Sequence, residues 1–346
     1  MYTDFYGFNG KPFQLTPDPN FYFDSSTHHK AMAYLTYGLS QGEGFIIVTG
    51  EIGAGKTTLV ARLLEELDTD QYVAAKIVTT HLDADDILRI VAAGFGLNII
   101  SKDKAILLNE IETFLRQNHK MGKRALLIID EVQNLPIAAL EELRMLSNFQ
   151  EGDRALLQSF LIGQPEFRDK WAFAPELEQL RQRVIATHHL QSMTEAETQD
   201  YIQHRLKLVG WVDKPVFTQD CFEAIYQFTN GVPRKLNTLC ARILLFGAIE
   251  ELEQIDKTTV FNVIEDMERD IASSGPQALQ TNGAGQQRPM NNTMPHNDVM
   301  VSDQEVESLK ERIYVLEKYV KIHDETIKSA LEIISDLMDQ NEDLEG

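Results

Sequence analysis

A glycine-rich loop between an apolar strand and a helix is the feature that most constrains how this chain can fold. The apolar run Phe45–Thr49 leads into the loop, and a helical pattern begins at Leu59. Glycines let successive backbone N–H groups face inward, where they and the helix N-terminus can hold phosphate oxygens. Such a P-loop, or Walker A motif, places Lys56 near the β- and γ-phosphates and the Thr57 hydroxyl near magnesium. The predicted nucleotide-binding residues are Gly50, Glu51, Ile52, Gly53, Ala54, Gly55, Lys56, Thr57 and Thr58.

Composition sets the class of protein and its compartment. The 346 residues are 43% hydrophobic and 25% charged, as in a globular protein with two or three domains. The formal net charge of −21 disfavours nucleic-acid binding, because a phosphate backbone attracts a basic face. Cys221 and Cys240 lack metal-ligand spacing, and neither a signal peptide nor a membrane span is visible. We therefore expect a cytoplasmic protein, free or held at the inner membrane by a partner.

Five apolar runs alternate with helical patterns between residues 45 and 192. The runs are Phe45–Thr49, Tyr72–Val78, Ala125–Ile129, Leu156–Ile162 and Val184–His188. This alternation predicts an α/β fold with a parallel five-stranded sheet covered by helices on both faces. Residues 1–44 are aromatic and interrupted by proline, so we expect them to wrap onto the core without long elements. Residues 193–271 carry only helical periodicity, which predicts a small helical domain.

The C-terminal part of the chain divides into a linker and a heptad repeat. Residues 272–303 are rich in Ser, Gly, Gln, Asn and Pro, which predicts a disordered linker. Over residues 304–346 the apolar positions keep an unbroken 3-4-3-4 spacing with Asn341 at a seam position, which predicts a parallel two-stranded coiled coil. A single amphipathic helix docked on the body or on another protein is the alternative. Pairing through this segment, or assembly into a ring, would make the protein a homo-oligomer.

Two carboxylates follow the third apolar run directly. Asp130 and Glu131 would lie at the carboxyl edge of the predicted sheet, where the P-loop also lies. This is the Walker B pattern, in which Asp130 holds magnesium through water and Glu131 accepts the proton of the attacking water. Acidic residues at a helix N-terminus would give a similar pattern. Together with the P-loop, the pair predicts ATP hydrolysis with Mg²⁺.

Further polar residues are candidates for completing the site. Gln164 follows the fourth run, where it would orient the water near the γ-phosphate or only cap the next helix. Arg183, or as second choice Arg181, precedes the fifth run and would reach a neighbouring subunit's nucleotide or form an internal ion pair. Arg234 follows Pro233 at a helix start in the helical domain of residues 193–271. If this domain closes over the site as a lid, Arg234 would approach the phosphates; otherwise it would lie on the surface.

Taken together, these motifs resemble those of AAA+ ATPases. Three N-terminal motifs narrow the resemblance to the ATPase of general secretion pathway protein A and its relatives: Phe5-Tyr6-Gly7-Phe8, Lys11-Pro12-Phe13 and Leu15-Thr16-Pro17-Asp18-Pro19. Three further stretches are similar to one branch, the ATPase associated with exosortase/PEP-CTERM systems: Met32–Leu39, Glu141–Phe149 and Gln179–His189. The resemblance covers about residues 1–270.

The resemblance implies a RecA-like αβα core with a helical lid that binds ATP and Mg²⁺. It implies partners among envelope export or polysaccharide machinery, in exopolysaccharide production and export. The segment Tyr22–His29 would border the adenine. One alternative is a DNA-acting ATPase of the transposition-helper type, which requires a basic surface that the sequence does not clearly provide. The other is a nucleotide-gated scaffold with little turnover, against which the intact Asp130 and Glu131 argue.

Overall fold

The computed structural model describes residues 2–79, 86–97 and 103–273. The elements in chain order are α1 (Tyr2–Tyr6), α2 (Ser26–Gln41), β1 (Phe45–Gly50), α3 (Lys56–Glu66), β2 (Tyr72–Val78), α4 (Ile87–Gly94), α5 (Lys104–Lys120), β3 (Arg124–Asp130), α6 (Ile137–Leu146), β4 (Gln150–Glu151), β5 (Arg154–Ala155), β6 (Leu157–Gly163), α7 (Pro165–Phe173), α8 (Glu178–Arg181), β7 (Val184–Leu190), α9 (Glu195–Leu208), β8 (Val216–Phe217), α10 (Gln219–Thr229), α11 (Pro233–Ile249), β9 (Gln254–Ile255) and α12 (Lys257–Ser273). The predicted coiled coil, and the predicted linker beyond Ser273, lie outside the described residues.

A parallel five-stranded sheet of order β2-β3-β6-β1-β7 forms the centre of the fold. Its strands coincide with the five predicted apolar runs to within about two residues, which confirms the α/β prediction. Strand β6 lies between β1 and β3, so the loops that follow these three strands meet at one edge of the sheet. In open parallel sheets, ligands bind in the crevice outside the carboxyl ends of the strands.

Helices cover both faces of the sheet. Alternate strand residues point to opposite sides, and the apolar ones on each side pack against a different set of helices. In β1, Phe45 and Ile47 belong to the apolar cluster that includes residues of α4 to α7. Ile46 and Val48 belong to the cluster that includes residues of α2 and α3. Each strand residue in these clusters is nearly or completely buried, which explains why the central strands appear as continuous apolar runs in the sequence.

The N-terminal segment differs from the expectation that it forms no long element. Residues Ser26–Gln41 form a helix of 16 residues, which begins after the capping side chain of Ser25. Its buried positions Ala31, Leu35 and Gly38 recur at helical spacing. The prolines that suggested an irregular segment end at Pro19, and the polar and aromatic residues on the exposed face obscured the apolar stripe.

The helical part of the chain contains α9 to α12 and one parallel pairing between β8 and β9. The helices α9 to α12, which form the lid, share one apolar cluster. The aromatic side chains of Tyr6, Phe8 and Phe13 are buried in this cluster, so the first residues of the chain pack on the lid. None of the helices within the described ranges combines the length and apolarity that a bilayer crossing requires.

Gly231 allows the turn between α10 and α11 to pass close to the strand-to-lid connection. Its φ is +68°, and a Cβ atom built on it would lie 2.0 Å from the carbonyl oxygen of Met193. We expect Gly231→Ala to lower the free energy of unfolding by about 3 kcal/mol or more, because strain and a backbone clash add together. Urea unfolding monitored by circular dichroism would measure this change.

The matched control for this prediction is Gly122→Ala. Gly122 also has a positive φ, of +79°, but an added Cβ would meet nothing within 4 Å. The control therefore isolates the conformational cost, which we expect to be about 1 kcal/mol. Equal losses of stability in the two variants would contradict the proposed contact with Met193.

Candidate active site

The P-loop connects β1 to α3 and contacts the lid directly. The backbone N–H of Arg234, in the first turn of α11, donates a hydrogen bond to the carbonyl oxygen of Gly53 at 3.1 Å. Gly53 has a φ of +83°, and a Cβ atom there would lie 2.4 Å from the Cβ of Arg234. Only glycine fits between the loop and the lid at this point. The structure therefore brings the predicted lid arginine to the predicted phosphate loop.

Lys56 lies within this loop with its ammonium group held by backbone. Its Nζ donates hydrogen bonds to the carbonyl oxygens of Gly50, at 2.6 Å, and Glu51, at 2.9 Å. Burial lowers the pKa of Lys56, and the nearby carboxylates of Glu131 and Asp130 act in the opposite direction. A buried ammonium among carboxylates and inward-facing amides is suited to exchange its carbonyl partners for phosphate oxygens.

Asp130, at the end of β3, contacts the first turn of α3. The Thr57 hydroxyl donates a hydrogen bond to its Oδ2 at 3.2 Å, and the backbone N–H of Glu131 donates to its Oδ1 at 3.1 Å. Asp130 is only 3% exposed. A hydroxyl and a carboxylate oxygen meet here, and hard oxygen ligands of this kind fit Mg²⁺. The two predicted metal-holding residues therefore converge, although they are 73 residues apart in the sequence.

The backbone of Glu131 adopts a left-handed conformation, with a φ of 60° and a ψ of 40°. Non-glycine residues are uncommon in this region, and they concentrate at functional sites. The Thr79 hydroxyl, directly after β2, supports this conformation: its single proton is shared between the carbonyl oxygens of Glu131, at 2.6 Å, and Asp130, at 2.9 Å. Thr79 was not predicted from the sequence, because nothing in the sequence indicates that β2 lies next to β3.

Two glutamine amides hold the Glu131 side chain. The Nε2 atoms of Gln164 and Gln133 donate to its Oε2 at 2.9 Å and 2.5 Å. Gln133 also accepts from the backbone N–H of Gln164 at 3.0 Å. Burial acts to raise the pKa of Glu131, but these hydrogen bonds and the charges of Lys56 and Arg234 hold it below its ordinary value. Glu131 is therefore a carboxylate at neutral pH.

Gln164 was a predicted site residue, and the structure places it beside Glu131. Gln133 was not predicted, although it follows the two carboxylates at a spacing of two residues. The signal that could have found it is its position in the tight turn after Walker B, where the short 3-10 helix Val132–Asn134 returns the side chain toward Glu131.

An open cleft of about 980 Å³, a volume that includes open solvent, extends from the P-loop between the N-terminal segment and the lid. Tyr22 and His28 line it, in the region expected to border the adenine. The lining also includes Gln14–Asp18, which lies upstream of that expected region. The lid side is formed by residues that the sequence analysis missed: Met193, Tyr201, Arg205, Pro233 and Asn237.

Arg205 connects the N-terminal segment to α9 and α11 in the wall of this cleft. It is 5% exposed, and its guanidinium donates hydrogen bonds to the Pro12 carbonyl at 2.7 Å, the Tyr201 hydroxyl at 2.5 Å and Asn237 Oδ1 at 3.1 Å. It also stacks over the Phe21 ring at 4.7 Å. Within the described ranges, no carboxylate forms an ion pair with it. A buried arginine of this kind cannot be distinguished from an exposed one by sequence alone.

Arg183 and Arg181, the two candidates for contacting a neighbouring subunit's nucleotide, lie away from the cleft of their own chain. Strand β7 begins beside Phe45, at the amino edge of the sheet, whereas the P-loop lies at the carboxyl edge. Arg183 donates hydrogen bonds to the carbonyl oxygen and hydroxyl of Ser147, both at 3.1 Å, and contacts the Asn148 side chain. Arg181 donates hydrogen bonds to two backbone carbonyls and pairs with Glu178 at 2.6 Å. Their action on a neighbouring subunit stays a prediction.

Comparison with known proteins agrees with this geometry. Residues 39–170 match the family described as AAA domain. General secretion pathway protein A of Aeromonas hydrophila is 37% identical over 247 residues, which are 71% of this chain and 44% of that protein. The chain therefore spans less than half the length of this curated relative.

Solved structures show the same fold at low identity. ORC2 of Aeropyrum pernix has a TM-score of 0.56 and 15% identity, over 75% of this chain and 72% of that chain. CDC6p of Pyrobaculum aerophilum has a TM-score of 0.55 and 15% identity, over 77% and 74%. Drosophila ORC, in a structure bound to DNA, has a TM-score of 0.55 and 14% identity, over 75% and 64%. The matched AAA domain and the curated relative show that this chain belongs to the AAA+ family, with an AAA domain related to General secretion pathway protein A.

Proposed function

We propose that this protein hydrolyses ATP with Mg²⁺ and uses the reaction to drive or regulate an envelope export machine. The observation that carries the proposal is the convergence of the Walker B carboxylates with the P-loop. Asp130 contacts Thr57 through a hydrogen bond, and the charge of Lys56 helps to hold the pKa of Glu131 low. A structural role alone would not require two acidic groups, one of them in a strained backbone conformation, beside a buried lysine.

The residues divide into roles by position. The backbone from Gly50 to Thr58 and the Lys56 ammonium would bind the phosphates, and Thr57 and Asp130 would hold the metal. A bound magnesium ion neutralises charge that develops on the phosphate oxygens. Arg234 would contact the γ-phosphate and so couple its presence to the position of the lid, because the Arg234 backbone already contacts the loop at Gly53.

Glu131 is the proposed base. Both glutamine amides bond its Oε2, so we assign Oε1 as the atom that takes the proton of the attacking water. Gln164 would hold the carboxylate in the position required for this transfer. Arg183, with Arg181 as second choice, would reach the γ-phosphate of a neighbouring subunit and neutralise the charge there.

The process that this reaction serves is inferred from relatives and motifs. The printed name of the curated relative refers to the general secretion pathway, which favours an envelope export machine. The stretches Met32–Leu39, Glu141–Phe149 and Gln179–His189 favour an exosortase-associated, exopolysaccharide-exporting system. We propose that the protein acts on the cytoplasmic side as a homo-oligomer, in a ring or paired through residues 304–346. That segment would also be available to bind proteins of the machine.

Two alternative functions predict different experimental results. A DNA-acting ATPase would share the fold seen in Drosophila ORC, but at 14% identity that likeness concerns the fold alone, and the net charge of −21 opposes DNA binding. Salt-sensitive stimulation of ATP hydrolysis by duplex DNA would favour this alternative. A nucleotide-gated scaffold would bind ATP and release almost no phosphate.

Steady-state phosphate release by the purified full chain tests the proposed activity. We expect turnover of ATP that requires Mg²⁺ and stops when EDTA is added, because a bound metal neutralises charge that develops on the phosphate oxygens. Glu131→Gln provides the background rate. Release no faster than this background would reject hydrolysis and leave the scaffold.

Affinity capture tests the proposed process. The full chain and a chain lacking residues 304–346 would be expressed in the native cell, captured, and compared for bound proteins. We expect envelope export or polysaccharide proteins to be captured by the full chain and lost with the tail. Capture of the same set by both chains would place the partner surface elsewhere.

A further inference from the structure

A lysine on β2 lies beside the carboxylate that is proposed to hold magnesium. Lys76 pairs with Ile128 across the sheet, so its side chain lies on the same face as that of Asp130, two residues further along β3. Its Nζ is 3.8 Å from Oδ2 of Asp130. The Asp130 side chain is 4% exposed and that of Lys76 is 26% exposed, so solvent screens this pair only in part.

The same carboxylate oxygen receives both contacts. Thr57 donates its hydrogen bond to Oδ2 of Asp130, and the Lys76 ammonium approaches this atom rather than Oδ1. The Thr57 hydroxyl and the Asp130 carboxylate are the two groups proposed to hold the metal, Asp130 through water. A fixed positive charge therefore lies against the carboxylate that would hold a divalent cation.

This placement has a direct electrostatic consequence. The ammonium neutralises a buried carboxylate, and it repels any further cation that approaches the same oxygen. A divalent ion experiences twice the repulsion that a monovalent one does at equal distance. The negative charge of bound nucleotide phosphates acts in the opposite direction, so the metal would be accepted together with the nucleotide and poorly without it.

We propose that Lys76 sets the Mg²⁺ concentration at which the nucleotide site fills. It acts through Asp130, so it is a positioning residue and not a catalytic one. The inference rests on the proposed binding of ATP with Mg²⁺. Lys76 raises the Mg²⁺ requirement for nucleotide binding, so that the metal enters with ATP and the metal-free site keeps a neutralised Asp130.

The experiment measures binding rather than turnover. The full chain is titrated with MgCl₂ at a fixed concentration of adenylyl imidodiphosphate and constant ionic strength, and bound nucleotide is followed by calorimetry or by displacement of a fluorescent analogue. We expect Lys76→Met to lower the half-saturating Mg²⁺ concentration about ten-fold, because it removes one charge within direct Coulomb range of the metal ligand. Lys76→Gln provides a second uncharged variant if the methionine variant unfolds.

Two controls separate local charge from other effects. Lys76→Arg keeps the charge, and we expect it to retain the wild-type midpoint. Lys123→Met removes one positive charge from the opposite edge of the sheet, where its ammonium donates to the Thr69 carbonyl oxygen at 2.9 Å. We expect this variant to retain the wild-type midpoint as well, because Lys123 precedes β3 whereas Asp130 ends it. An equal shift in both methionine variants would attribute the effect to net charge and overturn the proposal.

The possible results are distinct. An unchanged or raised Mg²⁺ midpoint in the uncharged Lys76 variants would overturn the proposal. Weaker nucleotide binding by these variants at saturating Mg²⁺ would also overturn it, because Lys76 would then be a phosphate ligand. If the wild-type chain binds nucleotide with no dependence on Mg²⁺, the proposed function itself fails, and this inference fails with it.

Discussion

Replacing Glu131 with glutamine is expected to lower the turnover of ATP by about 10²–10⁴-fold and to leave ATP binding nearly unchanged. Removal of a general base typically costs this much, because the amide cannot accept the proton of the attacking water. Binding is retained because a glutamine at this position keeps the shape of the side chain and an oxygen that can accept from Gln133 and Gln164. The low pKa of Glu131 also means that protonation does not limit the wild-type rate near neutral pH.

Single-turnover phosphate release, with affinity for a fluorescent ATP analogue measured separately, checks this prediction. The matched control is Glu110→Gln, which makes the same substitution at an exposed position of α5. We expect the control to keep both turnover and affinity. Wild-type turnover in the Glu131 variant would refute the assignment of the base, whereas a parallel loss of affinity would show that Glu131 supports the nucleotide site structurally.

Replacing Lys56 with alanine is expected to weaken ATP binding at least 100-fold, which corresponds to about 2.7 kcal/mol. The buried ammonium is held at the centre of the loop by the Gly50 and Glu51 carbonyls. Alanine removes the charge and leaves two carbonyl oxygens facing the phosphates, so attraction is replaced by repulsion. Turnover should fall with occupancy.

Equilibrium binding of ATP by calorimetry measures this loss. Lys120→Ala, at an exposed position at the end of α5, changes the net charge equally and should bind like the wild type. Thermal unfolding without nucleotide establishes that the Lys56 variant is folded. Tight binding by a folded Lys56→Ala chain would show that the backbone N–H groups alone hold the phosphates, and the role proposed for the lysine would be wrong.

Local sequence was sufficient for the sheet and the phosphate loop. The strands were predictable because a segment buried on both faces of a sheet is mostly apolar, as in residues 45–48 of β1 and 125–129 of β3. The P-loop was predictable because a backbone that closely approaches phosphates favours glycine, and Gly53 and Gly55 both have a positive φ that glycine adopts readily. In each case one short segment carries the whole signal.

Contacts between distant segments were not predictable in the same way. Thr79 and Lys76 act on Asp130 and Glu131 only because β2 pairs with β3, and Gln164 reaches Glu131 because β6 lies next to β3. Strand order is decided by how the crossover helices pack, and this leaves no mark on any one strand. The buried Arg205 is a similar case, because its burial depends on the N-terminal segment that folds over it.

A nucleotide-binding α/β core is evident from the sequence alone, because glycine spacing, apolar strands and paired carboxylates each reflect a local physical requirement. The assembly of the site depends on the tertiary structure. It brought Lys76 and Thr57 to one oxygen of Asp130, and two glutamine amides to one oxygen of Glu131. Electrostatic interactions depend on distance in space rather than along the chain, so the charges that tune this site became visible only when the strands were placed side by side.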